Sequence, residues 1–135
     1  MTPLSPELYW TALTALMTST LWAPHILQRI FEMKPYAAFR DPGHEDPTQA
    51  PFARRAIRAH TNAVENLGVF GLLAIIVELS NASTATTATA AMIYFFARVT
   101  HYLVYLFAVP WVRTPVFLVG FGCQLVLGLT ILGLI

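Results

Sequence analysis

The chain has 135 residues, of which 56% are hydrophobic and 11% charged, with a net charge of +1 and a mean hydropathy of +0.60. Soluble domains carry about 25% charged residues, so this composition excludes an ordinary water-soluble domain and favours a membrane protein. The small net charge gives no basis for nucleic-acid binding, and the single cysteine, Cys123, excludes an internal disulfide and a paired-cysteine metal site.

The first half of the chain predicts two helices. Met1–Glu7 contains no Lys or Arg, so the first apolar run is not a signal peptide and is expected to remain in the mature protein. A transmembrane helix is predicted over residues 8–30, with Pro24 as a tolerated kink. The polar, proline-rich residues 32–51 are interpreted as a loop, and a second helix is predicted over residues 53–80.

The second half is the most apolar part of the sequence. A bilayer crossing takes about 20 apolar residues, and helices are predicted over residues 86–111 and 115–135. Thr114 is expected to cap the last helix, with Pro115 at its first position. The sequence therefore predicts an all-α membrane protein, a single domain over residues 1–135 that forms a four-transmembrane-helix bundle.

Basic residues lie around the first and third loops: Lys34, Arg40, Arg54, Arg55, Arg58 and Arg113. Cytoplasmic loops of membrane proteins are enriched in Lys and Arg. The distribution therefore predicts a multi-pass protein of the cell (inner) membrane with both termini on the non-cytoplasmic side. Arg54 and Arg55 are interpreted as interfacial anchors.

Polar residues recur at helical spacing on two predicted helices. On the second helix they are Arg54, Arg58, Asn62 and Glu65; on the third they are Tyr94, Arg98, His101 and Tyr105. Ionisable groups within membrane spans usually face the bundle interior or a cavity and are functional candidates. The two stripes predict a wet cleft between the helices, although Glu65 and Arg98 would also suit a purely structural ion pair.

Two sequence runs resemble the signature of the MAPEG family, the membrane-associated proteins in eicosanoid and glutathione metabolism. They are RAHTNAVEN at residues 58–66 and RVTHYLVY at residues 98–105, followed by Arg113-Thr114. The resemblance covers residues 54–114 and is closest to the bacterial type. It implies a homotrimer with glutathione, the co-substrate, held between adjacent subunits in a cytoplasmic-side cleft.

The resemblance also assigns site residues. It assigns glutathione binding to Arg58, Asn62, Glu65, Arg98, His101 and Tyr105. The first three would hold the peptide backbone and charged ends of glutathione, and Arg98 would pair with Glu65. Arg113 and Thr114 match the positions that face the thiol in catalytic members, while Phe117 stands where some members have a tyrosine. No metal site is implied.

These roles suit the chemistry. Arginine binds carboxylates bidentately, and a guanidinium near sulfur favours the nucleophilic thiolate. The sequence therefore predicts a membrane glutathione S-transferase-like protein, or a peroxidase, that acts on lipophilic small molecules from the bilayer. Two alternatives stay open: a non-catalytic lipid-binding scaffold of the same family, and a small transporter or proton-relay protein.

Overall fold

The computed structural model describes residues 4–33, 35–36 and 50–135. Within these residues the chain is all-helical: α1 (Pro6–Thr18), α2 (Ala23–Met33), α3 (Pro51–Leu79), α4 (Ala85–Leu106) and α5 (Arg113–Ile131). The predicted fold class is thus confirmed as far as an all-α membrane bundle. Lys34 and Arg40, on which the orientation prediction partly rests, lie outside the described residues.

Two of the described helices, α3 and α5, are long and apolar enough to cross a membrane. The α4 helix has 22 residues, which corresponds to a length of about 33 Å at 1.5 Å per residue. The apolar α3 and α5 support a membrane location. The crossing of the bilayer by α1–α2 and α4 remains a prediction.

The prediction of one continuous first helix is wrong. The chain leaves the helix after Thr18 and makes a turn over residues 19–22 before α2 begins. Pro24 explains the break, because proline has no N–H and its ring clashes with the carbonyl four residues earlier. Placed in the first turn of α2, Pro24 is tolerated. A tertiary contact also holds the break, since the Tyr102 hydroxyl donates a hydrogen bond to the Leu21 carbonyl at 3.0 Å.

The helix boundaries near the third loop also differ from the prediction. The α4 helix ends at Leu106 rather than at residue 111, because Ala108 and Trp111 adopt positive φ angles of 56° and 67° that no α-helix contains. The α5 helix begins at Arg113, with Val112 as its N-cap, so Thr114 is its second residue and not the cap. Pro115 still lies in the first turn, where its missing N–H costs nothing.

The α3 helix packs closely because one of its faces is made of alanine. Ala53, Ala56, Ala59 and Ala63 are all buried. Ala56, Ala59 and Ala63 form a cluster with Leu21, Tyr102 and Leu106. Small side chains let helix backbones approach closely, which is the usual basis of helix association in membranes. The α4 helix contacts α1, α3 and α5.

A second buried cluster lies towards the other end of the bundle. It includes Phe70 and Tyr94, whose rings stack at a centroid distance of 3.7 Å, together with Cys123 and Leu127. At that end, Glu7 of α1 is fully buried and accepts hydrogen bonds from Ser83 and Thr87. These contacts join the start of α1 to the start of α4.

Candidate functional site

A cavity of about 490 Å³ opens where the end of α4, the start of α5 and the first turns of α3 meet. Small-molecule sites usually occupy roughly 300–1,000 Å³. The lining residues are Arg55, Arg58, Val104, Tyr105, Ala108, Val109, Pro110, Trp111, Arg113 and Thr114. The structure therefore brings four of the predicted site residues together: Arg58, Tyr105, Arg113 and Thr114.

The loop between α4 and α5 closes one side of the cavity. After Leu106 the chain turns back, and the amide of Val109 donates to the Val104 carbonyl at 2.9 Å. This turn places Arg113 over the ring of Tyr105, with its Cζ 4.9 Å from the ring centroid. A cation in this position is attracted to the negative face of the ring. The contact orients the Arg113 guanidinium at the cavity wall.

The first turn of α5 adds a second source of positive potential. Arg113 and Thr114 are the first two residues of that helix, and both line the cavity. The first N–H groups of a helix have no partner within the helix and, together with the helix dipole, favour a bound anion. The cavity wall at α5 thus combines a guanidinium, a hydroxyl and a helix N-terminus, a combination suited to a thiolate or a carboxylate.

Arg55 is the lining residue that the sequence interpretation assigned differently. Its side chain is half-buried, and its Nε donates to the carbonyl of Leu106 at 2.9 Å. Leu106 is the last residue of α4, whose terminal carbonyls have no partner within the helix. The spacing of three residues between Arg55 and Arg58 was the available signal, since residues three apart are neighbours on a helix surface.

His101 lies one turn of α4 deeper than Tyr105 and is buried. Its ring centroid is 5.9 Å from that of Tyr105 and 5.9 Å from that of Phe117. His101 does not line the cavity in a single chain. It lies directly behind Tyr105 and supports the position of that ring.

Arg98 lies deeper still and is buried between α4 and α5. Its Cζ is 5.4 Å from the ring centroid of Tyr94 and 5.5 Å from that of Phe117. One nitrogen, Nη2, approaches the Phe117 carbonyl at 3.5 Å, while Nε and Nη1 have no hydrogen-bond partner among the residues that the structure describes. The aromatic faces thus provide most of the compensation for this buried cation within one chain.

The predicted pairing of Glu65 with Arg98 does not form within the described part of the chain. Glu65 is exposed on α3, whereas Arg98 faces α5. At 100° per residue, the stripe that contains Glu65 lies almost opposite the alanine face that packs on α4. Within one chain the two polar stripes therefore meet only at the cavity, where Arg58 and Tyr105 both form part of the lining, and Glu65 and Arg98 do not share a cleft.

Asn62 likewise lies outside the cavity. Its side chain is half-buried, and its Oδ1 has no hydrogen-bond partner within the described part of the chain. Its backbone carbonyl accepts a hydrogen bond from the Asn66 side chain at 2.9 Å. The buried, unpaired oxygen is a free acceptor on α3, and its part in ligand binding stays a prediction.

Comparison with known proteins identifies the family of this chain. No curated protein and no solved structure matches it. The model of the MAPEG family matches residues 8–133, nearly the whole chain, and thus extends well beyond the two motifs around the cavity. This protein, with its apolar helices and its arginine-rich cavity at one end of the bundle, belongs to the MAPEG family.

Proposed function

We propose that this protein is a homotrimeric, multi-pass membrane glutathione transferase or peroxidase that acts on lipophilic electrophiles from the bilayer. The observation that carries the proposal is the cavity, which gathers Arg55, Arg58 and Arg113 around Tyr105 and the N-terminus of α5. Glutathione carries two carboxylates and becomes more negative when its thiol ionises. A cavity lined by three guanidinium groups suits such a ligand.

The remaining binding residues would act together with neighbouring copies in the trimer. Glu65 is exposed and supplies a carboxylate for the glutathione ammonium, and Asn62 supplies an unpaired acceptor on the same helix. Arg98 and His101 would support the site from behind Tyr105. Pairing of Arg98 with Glu65 of another copy stays part of this proposal, since a single chain does not contain it.

In the proposed reaction, Arg113 and Thr114 stabilise the glutathione thiolate, and the thiol proton passes to water. The sulfur then forms a bond to the electrophilic carbon of the substrate. The electron pair of the bond that breaks leaves with the leaving group, or, in an addition, moves to the activating group and takes up a proton from water. The guanidinium of Arg113 lowers the energy of the thiolate without becoming a nucleophile itself.

Substitution of Arg113 tests the catalytic assignment. One positive neighbour lowers a pKa by about 1–3 units, so in Arg113→Ala the pKa of the bound thiol should rise by that amount. Turnover at neutral pH should fall and partly recover as pH increases, while glutathione affinity is largely kept. An ultraviolet titration of the thiolate in the bound complex measures this directly.

Arg58→Ala is the matched comparison, because Arg58 lines the same cavity on a different helix. It should weaken glutathione binding and leave the pH profile of the bound complex unchanged. Identical thiolate titrations for wild type and Arg113→Ala would refute the catalytic role of Arg113. In that case Arg113 would serve as a positive-inside anchor, and its removal would change insertion or expression.

A lipid-binding scaffold is the second candidate function. It is favoured by an apolar groove of about 580 Å³ between α4 and α5, lined in part by Ala90, Ile93, Val119 and Cys123. Such a groove suits the acyl chain of a bound lipid. Retention on glutathione-agarose together with measured turnover supports the enzyme, whereas lipid binding without thiol-dependent turnover supports the scaffold.

A further inference from the structure

Arg55 has a position that an interfacial anchor does not need. It is half-buried, it lines the cavity, and its Nε is held by the carbonyl of Leu106 at 2.9 Å. Arg54, the preceding residue, is exposed and does not line the cavity. The hydrogen bond to Leu106 fixes the Arg55 side chain at the cavity wall before any ligand binds, which reduces the entropy that binding would cost.

The charges around the cavity are unbalanced. Arg55, Arg58 and Arg113 contribute three cations, and the described residues that line the cavity include no Asp or Glu. A ligand group placed among these three cations is favoured if it carries a negative charge and no positive charge beside it. A positively charged group in the same place would be repelled by all three guanidiniums.

The two ends of glutathione differ in this respect. The glycyl end carries only a carboxylate, whereas the γ-glutamyl end carries a carboxylate with an ammonium on the same carbon. The ammonium has no acidic partner among the lining residues, and Glu65, the nearest carboxylate along the α3 stripe, lies outside the cavity. The glycyl end is therefore the one that fits beside the arginines of α3.

We propose that Arg55 binds the glycyl carboxylate of glutathione and makes the site specific for thiol peptides with a free C-terminal carboxylate. The inference rests on the proposed function and assigns one end of the ligand to one residue. Arginine suits this role because its planar guanidinium can hold a carboxylate while its Nε remains bonded to a backbone carbonyl.

The alternative is that Arg55 only caps the C-terminal end of α4 through Leu106. If Arg55 only caps the helix, its substitution should lower the stability of the protein and weaken the binding of every ligand by the same factor. A residue that binds the glycyl carboxylate changes the preference between ligands that have and lack that charge. The ratio of two affinities therefore separates the roles.

The test uses the full chain in detergent and calorimetric titration with two probes, glutathione and its glycyl monoethyl ester. Wild type should bind the ester about tenfold to a hundredfold more weakly than glutathione, as expected for loss of a charge-assisted hydrogen bond. Arg55→Gln should bind both probes with similar, weak affinity. Arg54→Gln, the control, should keep the wild-type preference.

Arg55→Lys provides the second variant, because it keeps the positive charge and removes the bidentate group. It should keep part of the preference for glutathione over the ester. If Arg55→Gln keeps the full wild-type preference, or if wild type binds glutathione and the ester equally, Arg55 does not bind the glycyl carboxylate, although glutathione binding itself stands. If wild type binds neither probe, the proposed function fails and this inference fails with it.

Discussion

Gly120 lets the Arg98 guanidinium lie directly against the backbone of α5. A methyl group at residue 120 would overlap that guanidinium, with Cζ only 2.9 Å from the added carbon. Because Arg98 is buried between two aromatic rings, it has little room to move. Gly120→Ala should therefore lower the free energy of unfolding by about 1–3 kcal/mol, the usual cost of overpacking.

Gly122→Ala is the control for this prediction, because nothing lies within 4 Å of the corresponding methyl position. Both substitutions make the same change within the same helix. Thermal unfolding in detergent should show a loss for Gly120→Ala and none for Gly122→Ala. Equal stability of the two variants would mean that Arg98 does not occupy the space beside Gly120.

At the scale of elements, Thr87 links α1 to α4. Its hydroxyl donates to the buried carboxylate of Glu7, and its side chain completes a capping box with Thr84 at the start of α4. Thr87→Val keeps the volume and removes both contacts. It should lower the free energy of unfolding by about 1–3 kcal/mol, since the buried Glu7 carboxylate loses one of its two hydrogen-bond donors.

Thr86→Val serves as the control for this contact. Thr86 is exposed, and its substitution by valine is the same chemical change one residue away. Chemical or thermal unfolding of the two variants in detergent measures the difference. A Thr87→Val protein as stable as Thr86→Val would show that the contact between Glu7 and Thr87 contributes nothing to joining α1 and α4.

At the scale of the whole molecule, three arginines lie together at one end of the bundle. Arg55, Arg58 and Arg113 line one cavity, whereas Glu7 and Ser83 meet at the other end. The positive-inside rule predicts that the arginine-rich end faces the cytoplasm. We therefore expect both termini on the non-cytoplasmic side of the cell (inner) membrane.

Reporter fusions at Ile135 test this orientation. A periplasmic reporter such as alkaline phosphatase should be active, and a cytoplasmic fluorescent reporter should be dark. A cytoplasmic C-terminus would mean an inverted bundle or an odd number of membrane crossings, and would contradict the predicted orientation.

The proposed trimer predicts contacts that a single chain lacks. Native mass spectrometry in detergent should give three copies. If Glu65 of one copy neutralises Arg98 of another, Glu65→Gln leaves a buried cation and should cost about 3–5 kcal/mol. The double change Glu65→Gln with Arg98→Met should recover part of that loss, whereas simple addition of the two single losses would show that the residues act independently.

The apolar helices and the family could be predicted from the sequence alone. In lipid the backbone must satisfy its own hydrogen bonds, so long apolar runs specify helices whatever their neighbours. The predicted second helix accordingly agrees with α3 to within two residues at its start. The family motifs, at residues 58–66 and 98–105, are contiguous in the sequence and are thus readable without a fold.

Tertiary packing determined which helix faces meet, which the helical periodicity of the sequence does not specify. The spacing of Glu65 and Arg98 indicates one stripe on each helix, but which stripe faces which partner depends on the alanine face of α3. Arg55 became a cavity residue only because the chain turns back after Leu106 and offers it a carbonyl. A helical repeat specifies the relative directions of side chains on one helix, whereas the rotation of each helix against its neighbours is determined by the packing of the whole bundle.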